Sequence, residues 1–116
     1  MSGPPYTPPV RDIRFGLEVA GLGEVLALPA FAGIAPETVA DIIDQAARFA
    51  AEVLAPTNRA GDTAGARLAN GAVTTAPGFR EAYAAFQQAG WCAAGAEASH
   101  GGLGLPRLVA TALWEM

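Results

Sequence analysis

The sequence is poor in charge, and above all in positive charge. Only 16% of its 116 residues are charged, with 7 Lys+Arg against 11 Asp+Glu and a formal net charge of −4, whereas ordinary soluble domains carry roughly a quarter charged residues. A surface that binds nucleic acid needs clustered cations, but here the cations are scattered arginines without a polybasic tract for a membrane surface. The composition therefore predicts neither a nucleic-acid partner nor a membrane partner.

Cysteine and histidine are each present only once, as Cys92 and His100. Because a single cysteine cannot form an internal disulfide, a reducing compartment is expected. Residues 1–5 lack the charged and apolar regions of a signal peptide. The longest apolar stretch, residues 25–35, is short and interrupted by Pro29, so no segment is expected to span a bilayer. We therefore expect a soluble, cytoplasmic chain.

Apolar residues, in contrast, are abundant. They make up 52% of the chain, and the mean hydropathy is +0.28. A short chain buries a smaller share of its surface than a long one. A chain of this length and composition is therefore expected to need further protein to bury its apolar surface.

Residues 1–34 are predicted to form an N-terminal extension, or arm, with short helices. Four of the first nine residues are prolines, which predicts an extended surface arm without a helix of its own. The apolar positions of residues 11–17 fit a short helix or a strand equally well, because periodicity cannot decide over so short a run. Residues 24–28 could form one more helical turn before Pro29.

The clearest predicted helix begins at Pro36, since a proline at the first helical position is a start signal. Asp44 and Arg48 have the i, i+4 spacing of a supporting ion pair. Pro56 is expected to end or kink the helix, and residues 59–65 are interpreted as the exit loop. The apolar residues that follow Pro36 recur at helical spacing and form one face: Val39, Ile42, Ile43, Ala46, Phe49, Ala50, Val53 and Leu54.

A tight turn and a second helix are predicted next. Asn70-Gly71 lies between short half-apolar runs, and both residue types tolerate the positive φ of a hairpin turn. Pro77 is expected to open a helix that ends at Gly90, a usual helix stop. The predicted buried stripe of this helix consists of Phe79, Ala82, Tyr83 and Phe86.

A third helix is predicted from Pro106 onward, without a stop signal before Met116. Its Leu108, Leu113 and Trp114 predict that the isolated chain self-associates. The predicted fold is mostly α, a partial helical bundle with a short turn or hairpin insertion near Asn70-Gly71. Residues 35–116 are interpreted as the start of a larger, truncated helical domain.

The segment between the second and third helices contains Gly101, Gly102 and Gly104, which could suggest a phosphate-binding loop. A dinucleotide fingerprint needs a third glycine where Arg107 stands, and no lysine follows as in a Walker motif. Glycines that shape a loop are therefore expected. Cys92 and His100 could form a thiol and its base, but no third group is positioned to orient the histidine, and Cys92 is expected to be a small buried residue.

Neither the carboxylates nor the tryptophans predict a reactive site. One His, one Cys and the nearby Glu97 do not reach the ligand count of a metal site. Trp91 and Trp114 are expected to anchor the core. The acidic residues of the long helix are expected on its solvated face: Glu37, Asp41, Asp44 and Glu52. The residues alone therefore assign no catalytic, cofactor-binding or metal-binding side chain.

The order and spacing of several segments resemble acyl-CoA dehydrogenases, from about Pro9 onward. The resemblance is strongest to a bacterial subgroup with an N-terminal extension, whose members act on methylthio- or aryl-substituted and longer acyl-CoA thioesters. The sequence departs from the family at residues 98–100, where Pro-Glu-Tyr is frequent, and at Cys92, where asparagine is common. The segments that carry the resemblance are VRDIRF (10–15), AARFAAEVLAPTNR (46–59), NGAVTTAPGFREAY (70–83), GW (90–91) and GGLGLP (101–106).

The resemblance implies the N-terminal helical part of a flavoprotein that also has a middle β-domain and a C-terminal helical domain. Such enzymes oxidise an acyl-CoA to the enoyl-CoA: a glutamate base removes the α-proton, and the β-hydride passes to FAD. Neither that glutamate nor the flavin-binding segment falls within these residues, so the isolated chain is expected to be inactive. Acyl-CoA and the rest of the enzyme, or a complementary subunit, are the implied partners, in a homo-oligomer. A non-enzymatic helical interaction module derived from that domain is the alternative.

Overall fold

The structure is a computed structural model that describes residues 5–116, and the predicted mostly α fold is confirmed. Residues 5–9 form no helix, as expected for the arm, while the prediction for residues 1–4 lies outside the described residues. The elements are α1 (Val10–Val19), α2 (Leu22–Leu26), α3 (Pro36–Phe49), α4 (Ala55–Ala64), β1 (Arg67–Ala69), β2 (Ala72–Thr74), α5 (Phe79–Gln88) and α6 (Arg107–Glu115).

The ambiguous segment near the N-terminus is a helix, α1. Val10, Ile13 and Leu17 lie at helical spacing and contact the core, with Leu17 only 5% exposed. Phe15, which a strand would place on the same face as Ile13 and Leu17, is instead exposed. Packing against the core therefore selects the 3.6-residue period that the sequence left open.

Helix α3 begins at Pro36 as predicted, but the exit loop predicted for residues 59–65 is wrong. Residues Ala50–Leu54 form a π-helical turn, and α4 then continues to Ala64. Pro56 lies in the first turn of α4, where a missing N–H costs little. The Thr57 hydroxyl donates a hydrogen bond of 2.6 Å to the Leu54 carbonyl, which satisfies an acceptor next to the proline.

The glycine that suggested a loop has a packing role inside α4. A Cβ at Gly61 would lie 2.8 Å from Cζ of Phe79, so the absence of a side chain lets α4 and α5 approach closely.

The ion pair predicted within α3 is replaced by a contact between helices. Asp44 Oδ2 lies 2.7 Å from Nη2 of Arg14 on α1, and the same Nη2 donates to the Ala40 carbonyl at 3.2 Å.

The predicted hairpin and helix boundaries are confirmed closely. β1 and β2 are antiparallel with Leu68 opposite Val73, and Asn70 and Gly71 adopt φ values of 51° and 75°, as a tight turn requires. After α5 the N–H of Gly90 donates to a carbonyl in the last turn of that helix. Helix α6 starts one residue after the predicted proline.

One apolar core joins the N-terminal helices to the rest of the chain. Its best buried members, Ile43 of α3 and Val109 of α6, are 0% exposed. The core also includes residues from the predicted extension, because the buried cluster consists of Leu17, Leu26, Val39, Ile43, Ala94, Leu105, Val109 and Ala112. The stripe predicted for α5 is only partly right: Ala82 is buried and Phe86 half-buried, but Tyr83 is 60% exposed and Phe79 39% exposed, although the Phe79 ring packs against Gly61 of α4.

The chain is extended and leaves much surface uncovered. Its radius of gyration is 16.8 Å and its extents are 53 × 35 × 18 Å, whereas a compact domain of this length has a radius of about 13 Å. Its accessible surface is 8077 Å², against about 5,900 Å² for a folded monomer of this mass. The chain therefore exposes roughly 2,000 Å² more than a compact protein of its size.

The shared core predicts that α1 stabilises the whole chain. Replacing Leu17 by alanine is expected to lower the free energy of unfolding by about 2–3 kcal/mol, because it removes buried methyl groups and leaves a cavity. The measurement is urea unfolding in dilute solution, followed by tryptophan fluorescence. Val19→Ala is the matched control on the same helix, since Val19 is 72% exposed and its truncation is expected to cost less than about 0.5 kcal/mol. Equal effects would show that α1 does not belong to the core.

Candidate interaction surface

The glycine-rich loop before α6 uses its own amide groups internally. The N–H groups of residues 101–105 donate, in order, to the carbonyls of residues 98, 97, 93, 96 and 94, at 2.9–3.2 Å. A loop that binds an anion must instead direct unpaired N–H groups at its ligand. The loop therefore shapes the chain and forms no phosphate cradle, in agreement with the spacing of its glycines.

Two of these glycines are required by backbone geometry. Gly101 has a φ of +81°, in the left-handed region that favours glycine. At Gly102 a Cβ would overlap the carbonyl group of Ala96. The loop thus folds back on the residues that follow α5 and fixes where α6 begins.

The two residues considered as a thiol and its base are both exposed. Cys92 is exposed, so its predicted burial is wrong; the 3₁₀ turn at Trp91–Ala93 leads instead to Ala94, which is 2% exposed. The partners of His100 Nδ1 are the Glu97 carboxylate at 3.8 Å and the Ser99 hydroxyl at 3.3 Å. Since neither contact involves Cys92, the structure provides no thiol–imidazole pair.

The carboxylates of α3 and the π-helical turn are exposed, as predicted. Within the part of the chain that the structure describes, no three His, Cys, Asp or Glu side chains are grouped as metal ligands. None of the helices between residues 5 and 116 is both long and apolar enough to cross a membrane.

The two tryptophans differ in their surroundings. Trp91 is half-buried, and its ring centroid lies 6.2 Å from that of Phe49, which lies 6.2 Å from Phe86. This aromatic cluster joins α3 and α5 to the 3₁₀ turn, so Trp91 anchors these elements to one another but does not belong to the buried core cluster in which it was expected. Trp114 is 75% exposed, so the same prediction is wrong for it. Helix α6 directs Val109 and other small apolar side chains inward, and Trp114 falls outside that stripe.

Trp114 lies between two surface depressions. One has a volume of about 270 Å³ and is lined by residues that include Cys92, Arg107 and Thr111. The other is a small apolar depression of about 40 Å³ that continues into the aromatic cluster. We call the surface around it the Trp114 face, defined as Phe49, Leu54, Phe86, Trp91, Leu113, Trp114 and Met116.

The N-terminal arm lies at the edge of the Trp114 face. The Tyr6 hydroxyl donates a hydrogen bond of 3.2 Å to the Met116 carbonyl. The side chains that line the small depression are all apolar, so the face suits apolar contact and not charge recognition. The sequence predicted an associating surface from Leu113 and Trp114 of this helix, but not the part that α3, the π-helical turn and α5 contribute, because that part depends on how the helices pack.

A second cavity, of about 280 Å³, lies between α1, α2 and α3. Its walls are mostly apolar side chains, including Leu17, Leu26 and Ile43, with Arg14 and Glu18 as its charged members. Because Arg14 is paired with Asp44, this cavity presents no unbalanced cation to an anionic ligand.

The sequence of the chain is similar to the N-terminal part of an acyl-CoA dehydrogenase, so the resemblance drawn from the sequence is confirmed. The relative is the 3-methylmercaptopropionyl-CoA dehydrogenase of Ruegeria pomeroyi. It is 38% identical over 112 residues, which represent 96% of this chain and 19% of the relative. The chain therefore spans about one fifth of the length of the relative that it matches. No protein-family model matches the chain.

The family implies FAD in the full-length enzyme, but neither the glycine loop nor the cavity beside Arg14 fits the pyrophosphate of this cofactor. The pyrophosphate of a dinucleotide needs cations or free backbone N–H groups. The N–H groups of the glycine loop are already bonded to carbonyls, and Arg14 is paired with Asp44. No step of a flavin reaction can therefore be derived from these residues.

Proposed function

We propose that this chain supplies the N-terminal helical portion of an FAD-dependent acyl-CoA dehydrogenase. The observation that carries the proposal is the homology along 96% of the chain to the N-terminal part of such an enzyme. The roughly 2,000 Å² of surface beyond that of a compact monomer supports it, because a helical portion of a larger enzyme is covered by the other parts.

In this proposal the role of the chain is architectural. It forms one wall of the substrate and flavin cavity, while the remaining polypeptide supplies the flavin-binding segment and the glutamate base. The assembled enzyme oxidises the α,β bond of an acyl-CoA and forms homo-oligomers. The name of the relative makes a methylthio-substituted acyl-CoA the substrate class that we propose to test first.

The proposal predicts that this chain can replace the corresponding segment of the relative. In a chimera, the N-terminal segment of the Ruegeria pomeroyi enzyme that matches this chain is exchanged for residues 1–116. The chimera is expected to retain FAD and to oxidise 3-methylmercaptopropionyl-CoA within about tenfold of the parent rate, a change of about 1.4 kcal/mol in the activation barrier. The isolated chain is expected to do neither.

Two controls make the result decisive. The relative without its N-terminal segment should lose activity, since otherwise the segment is dispensable and its replacement tests nothing. A soluble chimera that holds no FAD would contradict the proposal and favour a helical interaction module. Acyl-CoA turnover by the isolated chain would contradict the architectural role.

A further inference from the structure

We infer that the Trp114 face is the surface that docks onto the polypeptide corresponding to the remaining four fifths of the relative, with Trp114 as the anchor of that interface. The inference rests on the proposed function and adds to it the place of contact. Trp114 is 75% exposed, yet it lies between two depressions. A large aromatic side chain that projects beside apolar pockets is the usual centre of binding energy in an interface.

The chemistry of the face matches a permanent interface. The small depression is lined by apolar side chains from α3, the π-helical turn, α5, the 3₁₀ turn and α6. Among the residues that line the two depressions, the charged side chain is Arg107, which lines the neighbouring depression of about 270 Å³ and not the small one. The core of an obligate interface is also depleted in charged residues. The partner surface that contacts the small depression is therefore expected to be apolar and to have few charged side chains.

The area argues for a large partner over a second copy of this chain. A dimer of standard size covers about 800 Å² on each subunit, which would leave more than half of the roughly 2,000 Å² excess exposed. The chain matches only 19% of the relative, so the remaining polypeptide is about four times as long and can cover a surface of that size. The uncovered surface of the chain and the length of the relative therefore both favour the remaining polypeptide over a second copy of this chain.

The arm is expected to form part of the same boundary. Tyr6 bonds to the carbonyl of Met116, so residues 5–9 lie beside the last turn of α6. Exposed apolar residues of the hairpin, Leu68 and Val73, form a cross-strand pair.

The test compares Trp114→Ala in two contexts, the isolated chain and the chimera described above. In the isolated chain the substitution is expected to shift the unfolding midpoint by no more than about 2 °C, because the side chain is mostly solvated. In the chimera, which is about five times as long, it is expected to lower the midpoint by about 2–4 °C, because a buried tryptophan is lost from the interface. Trp114→Phe is expected to recover most of that loss.

The matched control is Phe15→Ala, which removes another exposed aromatic side chain, 67% exposed on α1. It is expected to shift the midpoint only slightly in both contexts.

An equal loss for Trp114→Ala in the chain and in the chimera would overturn the inference, since it would make Trp114 an ordinary structural residue. A chimera that tolerates Trp114→Ala, while the substitution abolishes a dimer of the isolated chain in light scattering, would assign the face to a second copy. Failure of the unsubstituted chimera to retain FAD appears before any substitution and counts against the proposed function itself.

Discussion

Replacing Gly102 by alanine is expected to lower the free energy of unfolding by roughly 3 kcal/mol. The added Cβ would overlap the carbonyl of Ala96, which is backbone and cannot swing away as a flexible side chain could. The N–H of Gly102 also donates to the Glu97 carbonyl at 3.0 Å, so any relaxation that relieves the overlap strains this bond. Urea unfolding of the 116-residue chain, followed by far-UV circular dichroism, measures the loss.

Gly16→Ala is the control for this prediction, because it makes the same chemical change where there is room. Gly16 lies inside α1, and no atom lies within 4 Å of the position that its Cβ would occupy. Alanine is the better helix former, so this variant is expected to be more stable than the parent by about 0.5–1 kcal/mol. If both substitutions shift stability in the same direction and by similar amounts, the close approach at Gly102 is not a feature of the folded chain.

A distortion at Gly102 is expected to affect the position of α6 as well as the loop itself. The amides of Leu103 and Leu105 donate to the carbonyls of Ala93 and Ala94, so the loop ties the end of the α5 segment to the start of α6. A shift of this loop would move α6 and with it Trp114. In the chimera, Gly102→Ala therefore perturbs the proposed docking surface without altering any of its side chains.

Features set by a few neighbouring residues could be predicted from the sequence. Pro36 and Gly90 define helix boundaries because their effects on backbone hydrogen bonding are local. Asn70-Gly71 predicts its own turn for the same reason, since the positive φ values are a property of these two residue types. The glycine loop lacks the residue spacing of a phosphate-binding motif, and this too could be determined from a few neighbouring residues.

Features that depend on packing at a distance could not be predicted in this way. The continuation of α3 into α4 past Pro56 requires a π-helical turn, which no residue pattern in the sequence predicted. Gly61 suggests a loop from its sequence alone, but in the structure it makes room for Phe79. Asp44 has a possible partner four residues away, yet Arg14 from another helix pairs with it instead.

The mistaken burial predictions share one physical cause. Tyr83, by its helical spacing, and Trp114, by its size and apolar character, were expected in the core, and both are more than half exposed. Helical periodicity identifies an apolar side, but it does not say whether this chain or another polypeptide covers that side. The sequence therefore predicted association through Leu113 and Trp114, while the full extent of the candidate surface required the packed structure.

Truncating Ile43 to alanine is expected to cost about 3–4 kcal/mol of unfolding free energy. Ile43 is 0% exposed, and it lies in the core that joins α1 and α2 to α3 and α6. It also lines the cavity of about 280 Å³ between the first three helices. Because the side chain is fully buried, its truncation removes apolar contacts and leaves a cavity, and the loss is expected near the middle of the usual range.

Ile42→Ala is the matched control, with the same atoms removed one residue earlier on α3. Ile42 is half-buried, so its truncation is expected to cost about half as much. Tryptophan fluorescence, which reports the region around Trp91, and far-UV circular dichroism, which reports all helices, should give coincident transitions for both variants. If instead the two signals separate in Ile43→Ala, residues 1–34 unfold independently of the rest, and the single shared core is disproved.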